Sequence, residues 1–367
     1  MSDSAPPSLV ARTAANARDA QLADFVARMR DRVQEYLGPR PDFNEQSDHL
    51  RHVGNRTRWI YFTELERVNP GQSLSITPHD DNLIEACVLA HDIGKWVPRD
   101  TLKALMPGEP AALAQVFAEL RFTDNENQLF QLGTRRRFAL TKDGYTPEYD
   151  SAHHLASAFL LVTDSALGFH DLDPDDQHHL ISMIVGHQFG SFYKETLLNL
   201  SMTDPEVTTG MLVDVARPQV FAGDVLASSF HDADISDLLF VGSLEARPYR
   251  EPVFHPGGLV KILLINFTNT IFEAPHAPQT LEDCLKSCQG TVSSASKEFL
   301  TRTAIEYGAK WRTQGRAFLD RLREKSVQTK LAAALFDKNQ APPDRLTALR
   351  ALTYLYARDF LSSYFEP

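Results

Sequence analysis

The chain of 367 residues has a net charge of −11 and is 43% hydrophobic and 23% charged, a globular balance with room for one large domain or two ordinary ones. Its 18 Gly and 21 Pro are too few for a collagen-like or low-complexity chain, and the acidic surplus argues against a broad electrostatic grip on duplex DNA. Cys87, Cys284 and Cys288 are an odd number without zinc-finger spacing, which argues against a disulfide-stapled secreted scaffold.

Residues 1–16 are rich in Ser, Ala and Pro and are expected to be mobile. From Ala17 to Leu37 the apolar positions Leu22, Phe25, Val26, Met29, Val33 and Tyr36 recur at helical spacing, until Gly38 and Pro39 stop the helix. A second helix is expected over Ser47–Val68, capped by Ser47 or Asp48 and ended by Asn69-Pro70-Gly71. A third, Asn82–Ile93, is apolar nearly all round, which suits the centre of a bundle. Residues 98–150 hold an expected helix near Ala111–Phe122 and a polar loop with Arg135, Arg136 and Arg137.

Helical patterns return at Ala152–Asp164, Asp175–Val185 and Pro218–Phe230, and period-two alternation is scarce. Residues 247–258 read as a turn-rich link. Beyond it lie an apolar segment (259–272) and helices over Ser293–Lys325 and Pro343–Ser363. The expected fold class is all-α: a helical bundle over residues 17–235 and a mainly helical C-terminal extension or cap over 236–367. No apolar run reaches the roughly 20 residues of a membrane span, and the N-terminus lacks the order of a secretory signal, so a soluble cytoplasmic protein is expected.

The strongest chemical signal is His91-Asp92, at the end of the apolar helix in Val88-Leu-Ala-His-Asp-Ile-Gly-Lys95. Adjacent helical side chains diverge by about 100°, which follows from 3.6 residues per turn, but a helix end can relax and let both converge on a metal. An imidazole and a carboxylate suit Fe, Mn, Zn, Ni or Co. Four more candidates lie in or beside apolar helical stretches, where an unpaired polar group is costly: His49, His153, His187 and Asp224. Taken singly, each reads as a core residue satisfied by backbone or water. Six in this order point to a ligand set.

The order and local wording resemble the HD-domain superfamily of metal-dependent phosphohydrolases over residues 45–230. The matching positions are His49, the pair His91 and Asp92, His153, His187 and Asp224, with His-Asp-Ile-Gly-Lys the most specific piece. Ser157 stands where the family has a Gly four residues after the third His. Val53 one turn on favours His49 over His52, and the small pair Ser157-Ala158 favours His153 over His154. His178-His179 reads as a solvated helix start.

The resemblance implies one or, with His153 and His187, two divalent metals (Mn, Fe, Co, Ni, Zn or Mg), with Asp92 bridging them. It implies hydrolysis of a phosphate ester or anhydride, most plausibly in a nucleotide, by a metal-activated hydroxide. Asp92 and Lys95 are then the expected catalytic residues, Lys95 also binding the phosphate. Lys194 and the run Arg135, Arg136 and Arg137 are further substrate-binding candidates, and Arg56 a weaker one. The expected partner is a small phosphorylated substrate. Three other readings stay open: a di-iron oxygenase of the same fold, a metal-dependent nuclease, and a nucleotide-binding sensor without catalysis.

Overall fold

The computed structural model describes residues 9–40, 42–98, 116, 118–120, 149–187, 223–247, 250–274, 277–295 and 297–364. These residues form eleven α-helices and one two-stranded sheet, an all-α architecture. None of their helices is long and apolar enough to cross a membrane. The chain divides into two compact units, one of Met1–Pro41 with Thr57–His231 and one of Asp42–Arg56 with Asp232–Pro367.

The first unit holds α1 (Leu9–Leu37), the latter part of α2 (Phe43–Val68), α3 (Pro78–Ala90), α4 (Tyr149–Thr163), α5 (Pro174–Gly186) and the beginning of α6 (Val225–Asp237). Helix α3 starts where Thr77 accepts the Asp80 N–H at 3.1 Å, with Pro78 in its first turn and Asp80 and Asp81 beside the positive end. Seven of its residues, Leu83, Ile84 and Ala86 to Ala90, are buried, as an all-round apolar helix requires. Against it pack α1, whose Leu22, Phe25 and Met29 are buried, and α5. The expected helix near Ala111–Phe122 lies almost wholly outside the described residues.

The second unit holds the first part of α2, the end of α6, strands β1 (Gly242–Arg247) and β2 (Arg250–Pro256), and helices α7 (Gly258–Ile271), α8 (Leu281–Ala295), α9 (Arg302–Arg323), α10 (Lys325–Phe336) and α11 (Pro342–Tyr364). The segment read as a turn-rich link is an antiparallel hairpin, Leu244 opposite Phe254 and Gly242 opposite Pro256. Both strands of a two-stranded sheet are edges, so Pro252 and Pro256 need cost no ladder bond. Phe254 packs against Tyr354 of α11 with ring centroids 5.4 Å apart.

The single helix expected over Ser293–Lys325 is broken between α8 and α9. The buried Asp232 carboxylate takes the N–H groups of Leu300 (2.9 Å) and Thr301 (2.7 Å) together with the Thr301 hydroxyl (2.6 Å). Thr301 in turn caps α9 by accepting the Ala304 N–H at 3.1 Å.

Candidate metal centre

Helix α3 ends at His91, whose N–H still reaches Cys87, and the backbone then turns into a short 3₁₀ segment, Ile93–Lys95, that starts from Asp92 (φ −105°, ψ −3°). That change of winding solves the problem of two adjacent side chains on one helix. His91 Nε2 lies 3.7 Å from Asp92 Oδ2, and both residues are buried.

Asp92, His153 of α4 and His187 at the end of α5 each offer a buried ligand atom, all within 4.8 Å of one another. His153 Nε2 is 3.2 Å from Asp92 Oδ1 and 3.1 Å from His187 Nε2. Two of the histidines are oriented by the same local device. His91 Nδ1 faces the carbonyl of Val88 at 2.9 Å, and His187 Nδ1 faces that of Ile184. A carbonyl only accepts, so each Nδ1 carries the proton and each Nε2 presents a lone pair. A histidine at a helix C-cap reaching back three residues is therefore a ring whose orientation is fixed by local sequence. This neutral imidazole and carboxylate donor set suits a borderline divalent ion.

The turn bearing Asp92 is held against α4. Gly94 donates its N–H to Ser157 Oγ at 2.9 Å, and the same hydroxyl donates to the His91 carbonyl at 2.8 Å. A Cβ on Gly94 would lie 2.4 Å from the His153 carbonyl oxygen, so only glycine permits this approach. Ser157 thus supplies a side-chain tie between α4 and the turn. His154 is buried beside His153, its ring 6.2 Å from that of His187.

Among the expected cations, Lys95 Nζ lies 2.8 Å from both Asp92 oxygens. Lys194, Arg135, Arg136 and Arg137 lie outside the described residues. Arg56 belongs to the second unit, half-buried beside Asp237.

Asp224, expected as the last ligand, stands at the head of α6. Its Oδ1 accepts the Ala227 N–H at 2.9 Å, and its Oδ2 is 2.9 Å from His179 Nε2. Burial pushes its carboxyl up, but the His179 contact and the N–H groups of α6 outweigh this and hold it below the usual range. An Asp just before a helix, bonded to an amide three residues on, is the pattern of an N-cap. His179 is accordingly Asp224's partner rather than a solvated helix start.

His49 lies in the second unit with two carboxylates that the sequence reading passed over. Its Nδ1 is 2.8 Å from Asp237 Oδ2 and its Nε2 is 3.4 Å from Asp234 Oδ1. Burial pushes the Asp237 carboxyl up, yet the His49 hydrogen bond and the charges of Arg56 and Lys261 hold it far below the usual range. The neighbouring His52 is held neutral, burial driving its pKa down to about 3. A signal for the two carboxylates existed: Asp234 and Asp237 are spaced by three residues, one helical turn, just beyond the apolar residues Val225, Leu226 and Phe230. It went unread because the helix was expected to end at Phe230.

The chain matches no family model, no curated protein and no solved structure. Fold and site together define a mainly α-helical protein with buried His/Asp groups able to hold a metal ion.

Proposed function

We propose that this chain is a metal-dependent phosphohydrolase of the HD type, acting on a phosphate ester or anhydride, most plausibly in a nucleotide. The observation that supports the reading best is the convergence of Asp92, His153 and His187, with Lys95 on the same carboxylate. The resemblance adds His49, His91 and Asp224 to the ligands. A bound divalent ion would supply Lewis acidity and lower the pKa of a water it binds.

The chain's own residues do the rest. The Val88 and Ile184 carbonyls keep His91 and His187 in the tautomer that presents Nε2. The Ser157 tie fixes the turn, so the carboxylate of Asp92 does not wander from the histidines. Lys95 supplies the positive charge that a phosphoryl group requires as its oxygens gain charge in the transition state.

The test is metal analysis of the purified protein, followed by a screen of nucleotides and phosphodiesters with Mn, Co, Ni or Fe added. Release of phosphate or nucleotide, abolished by chelation and restored by one of these ions, is the expected result. Absence of phosphate release with any of them, together with O₂ consumption on a small organic substrate, would replace this reading with the oxygenase one.

A further inference from the structure

We infer that Asp237 is a positioning residue: it holds the His49 ring by Nδ1 so that Nε2, together with Asp234, forms a ligand pair for a divalent cation. The inference rests on the metal reading above and concerns a residue that the resemblance does not assign.

The two carboxylates of α6 meet opposite sides of one imidazole. Asp237 Oδ2 takes Nδ1 at 2.8 Å, a full hydrogen bond, while Asp234 Oδ1 stands 3.4 Å from Nε2. Their exposure differs in the same sense: the Asp237 side chain is 1% exposed and that of Asp234 13%. Spacing by three residues on a helix puts both on one face, about one turn apart. One can therefore grip the near side of the ring while the other shares its far side.

Asp237 is itself held from behind. The half-buried Arg56 guanidinium lies 3.5 Å from Asp237 Oδ1, donates to Ser236 Oγ at 3.1 Å, and stacks 4.1 Å from the centre of the Phe240 ring. Backbone closes the remaining side. A Cβ on Gly258, at the start of α7, would lie 2.6 Å from the Asp237 carbonyl oxygen and 2.9 Å from Oδ2. With both oxygens engaged and backbone packed beside it, Asp237 has no room to turn towards an ion. Its geometry is that of a carboxylate behind a ligating histidine, which fixes the tautomer and ring orientation and raises ligand basicity.

The experiment is a titration of the apo full-length chain with Mn²⁺ and Co²⁺, by calorimetry and by Co²⁺ absorption. The variants are Asp237→Asn, Arg56→Met with Asp237→Asn, His49→Ala, His49→Ala with Asp237→Asn, and Asp92→Ala. Asp237→Asn is expected to bind metal about 10- to 100-fold more weakly, the range for losing such an outer partner. Arg56→Met with Asp237→Asn removes both charges together, a change that buried ion pairs tolerate. It should keep the apo unfolding midpoint and still bind weakly, which a merely structural role would not produce. Because Asp237 acts through His49, adding Asp237→Asn to His49→Ala should cost no further affinity.

Wild-type affinity in Asp237→Asn and in Arg56→Met with Asp237→Asn, or a fully additive loss on top of His49→Ala, would overturn the inference while Asp92→Ala still loses metal. If Asp92→Ala also binds as wild type, the metal reading falls, and this inference with it.

Discussion

Ser157 donates its hydroxyl to the carbonyl of His91 at 2.8 Å, and the same oxygen accepts the N–H of Gly94 at 2.9 Å. One small side chain on α4 thereby bridges the turn in which Asp92 stands. The turn has left α-helical winding at His91, so these two backbone groups have lost their helical partners, and both are buried. Ser157→Ala should destabilise the protein by about 1–3 kcal/mol, the cost of stranding buried backbone groups. Urea unfolding reads the loss, and weaker metal binding should accompany it.

Gly94 and Gly290 should respond to alanine in opposite ways. At Gly94 the new Cβ meets the His153 carbonyl at 2.4 Å and Ala156 Cβ at 2.8 Å, so α4 or the turn must shift. The expected cost is at least about 1–3 kcal/mol, as for overpacking a core. Gly290 is exposed within α8 and nothing lies within 4 Å of its Cβ position. There alanine should stabilise by up to about 1 kcal/mol through helix propensity. Urea midpoints of the two variants in parallel test both signs.

The three thiols should be silent in the native protein. Cys87, Cys284 and Cys288 are all buried, and burial pushes the Cys288 thiol up to about 12 and raises the other two. A thiolate is the reactive form. A thiol-reactive disulfide reagent should therefore label none of the three before unfolding and all of them in denaturant. Fast labelling of the native chain would contradict this burial.

His79 and Asp176 set a pH dependence away from the metal centre. His79 Nε2 lies 3.1 Å from Asp176 Oδ1 and its Nδ1 lies 3.0 Å from Asp19, while Arg18 also grips Asp176. The hydrogen bond with Asp176 raises the His79 pKa against partial burial. Burial pushes Asp176 up, but His79 and Arg18 bring it down to about 2. A raised histidine contributes stability that is complete below its unfolded pKa of about 6.5 and lost as pH rises through the folded value. The depressed carboxylate works the other way: its share is present above about 3.9 and lost as pH falls towards its folded value. Wild type should thus lose its advantage over His79→Gln as pH rises from about 6.5 through the raised folded value of His79. Urea unfolding of both at pH 6, 7 and 8 checks it, and a constant difference would refute it.

Lys95→Ala should lower kcat by about 10²-fold or more while metal content stays near normal, the scale for losing one group that stabilises developing charge. Turnover of the metal-loaded variant on whichever nucleotide the screen identifies gives the measurement. Full turnover would remove Lys95 from the proposed chemistry.

Local sequence was enough for much of the first unit. The apolar spacing of α1 and α5 and the all-apolar face of α3 show in the sequence because each helix buries residues at its own period. His91 and His187 are likewise local: each is a helix C-cap whose ring is oriented by a carbonyl three residues back. Tertiary structure decided what depends on a distant partner. Asp224 and Asp234 look alike in sequence, acidic residues at or within one helix. The first finds an amide three residues away and becomes a cap, while the second faces His49, which comes from α2. The break before α9 depends on Asp232 drawing in the backbone of Leu300 and Thr301 from 68 and 69 residues away. The hairpin at 242–256 exists only because two short strands, the second carrying Pro252 and Pro256, pair with each other. A hydrogen bond within one turn is written in adjacent residues, but a bond across the chain appears only once the chain has folded.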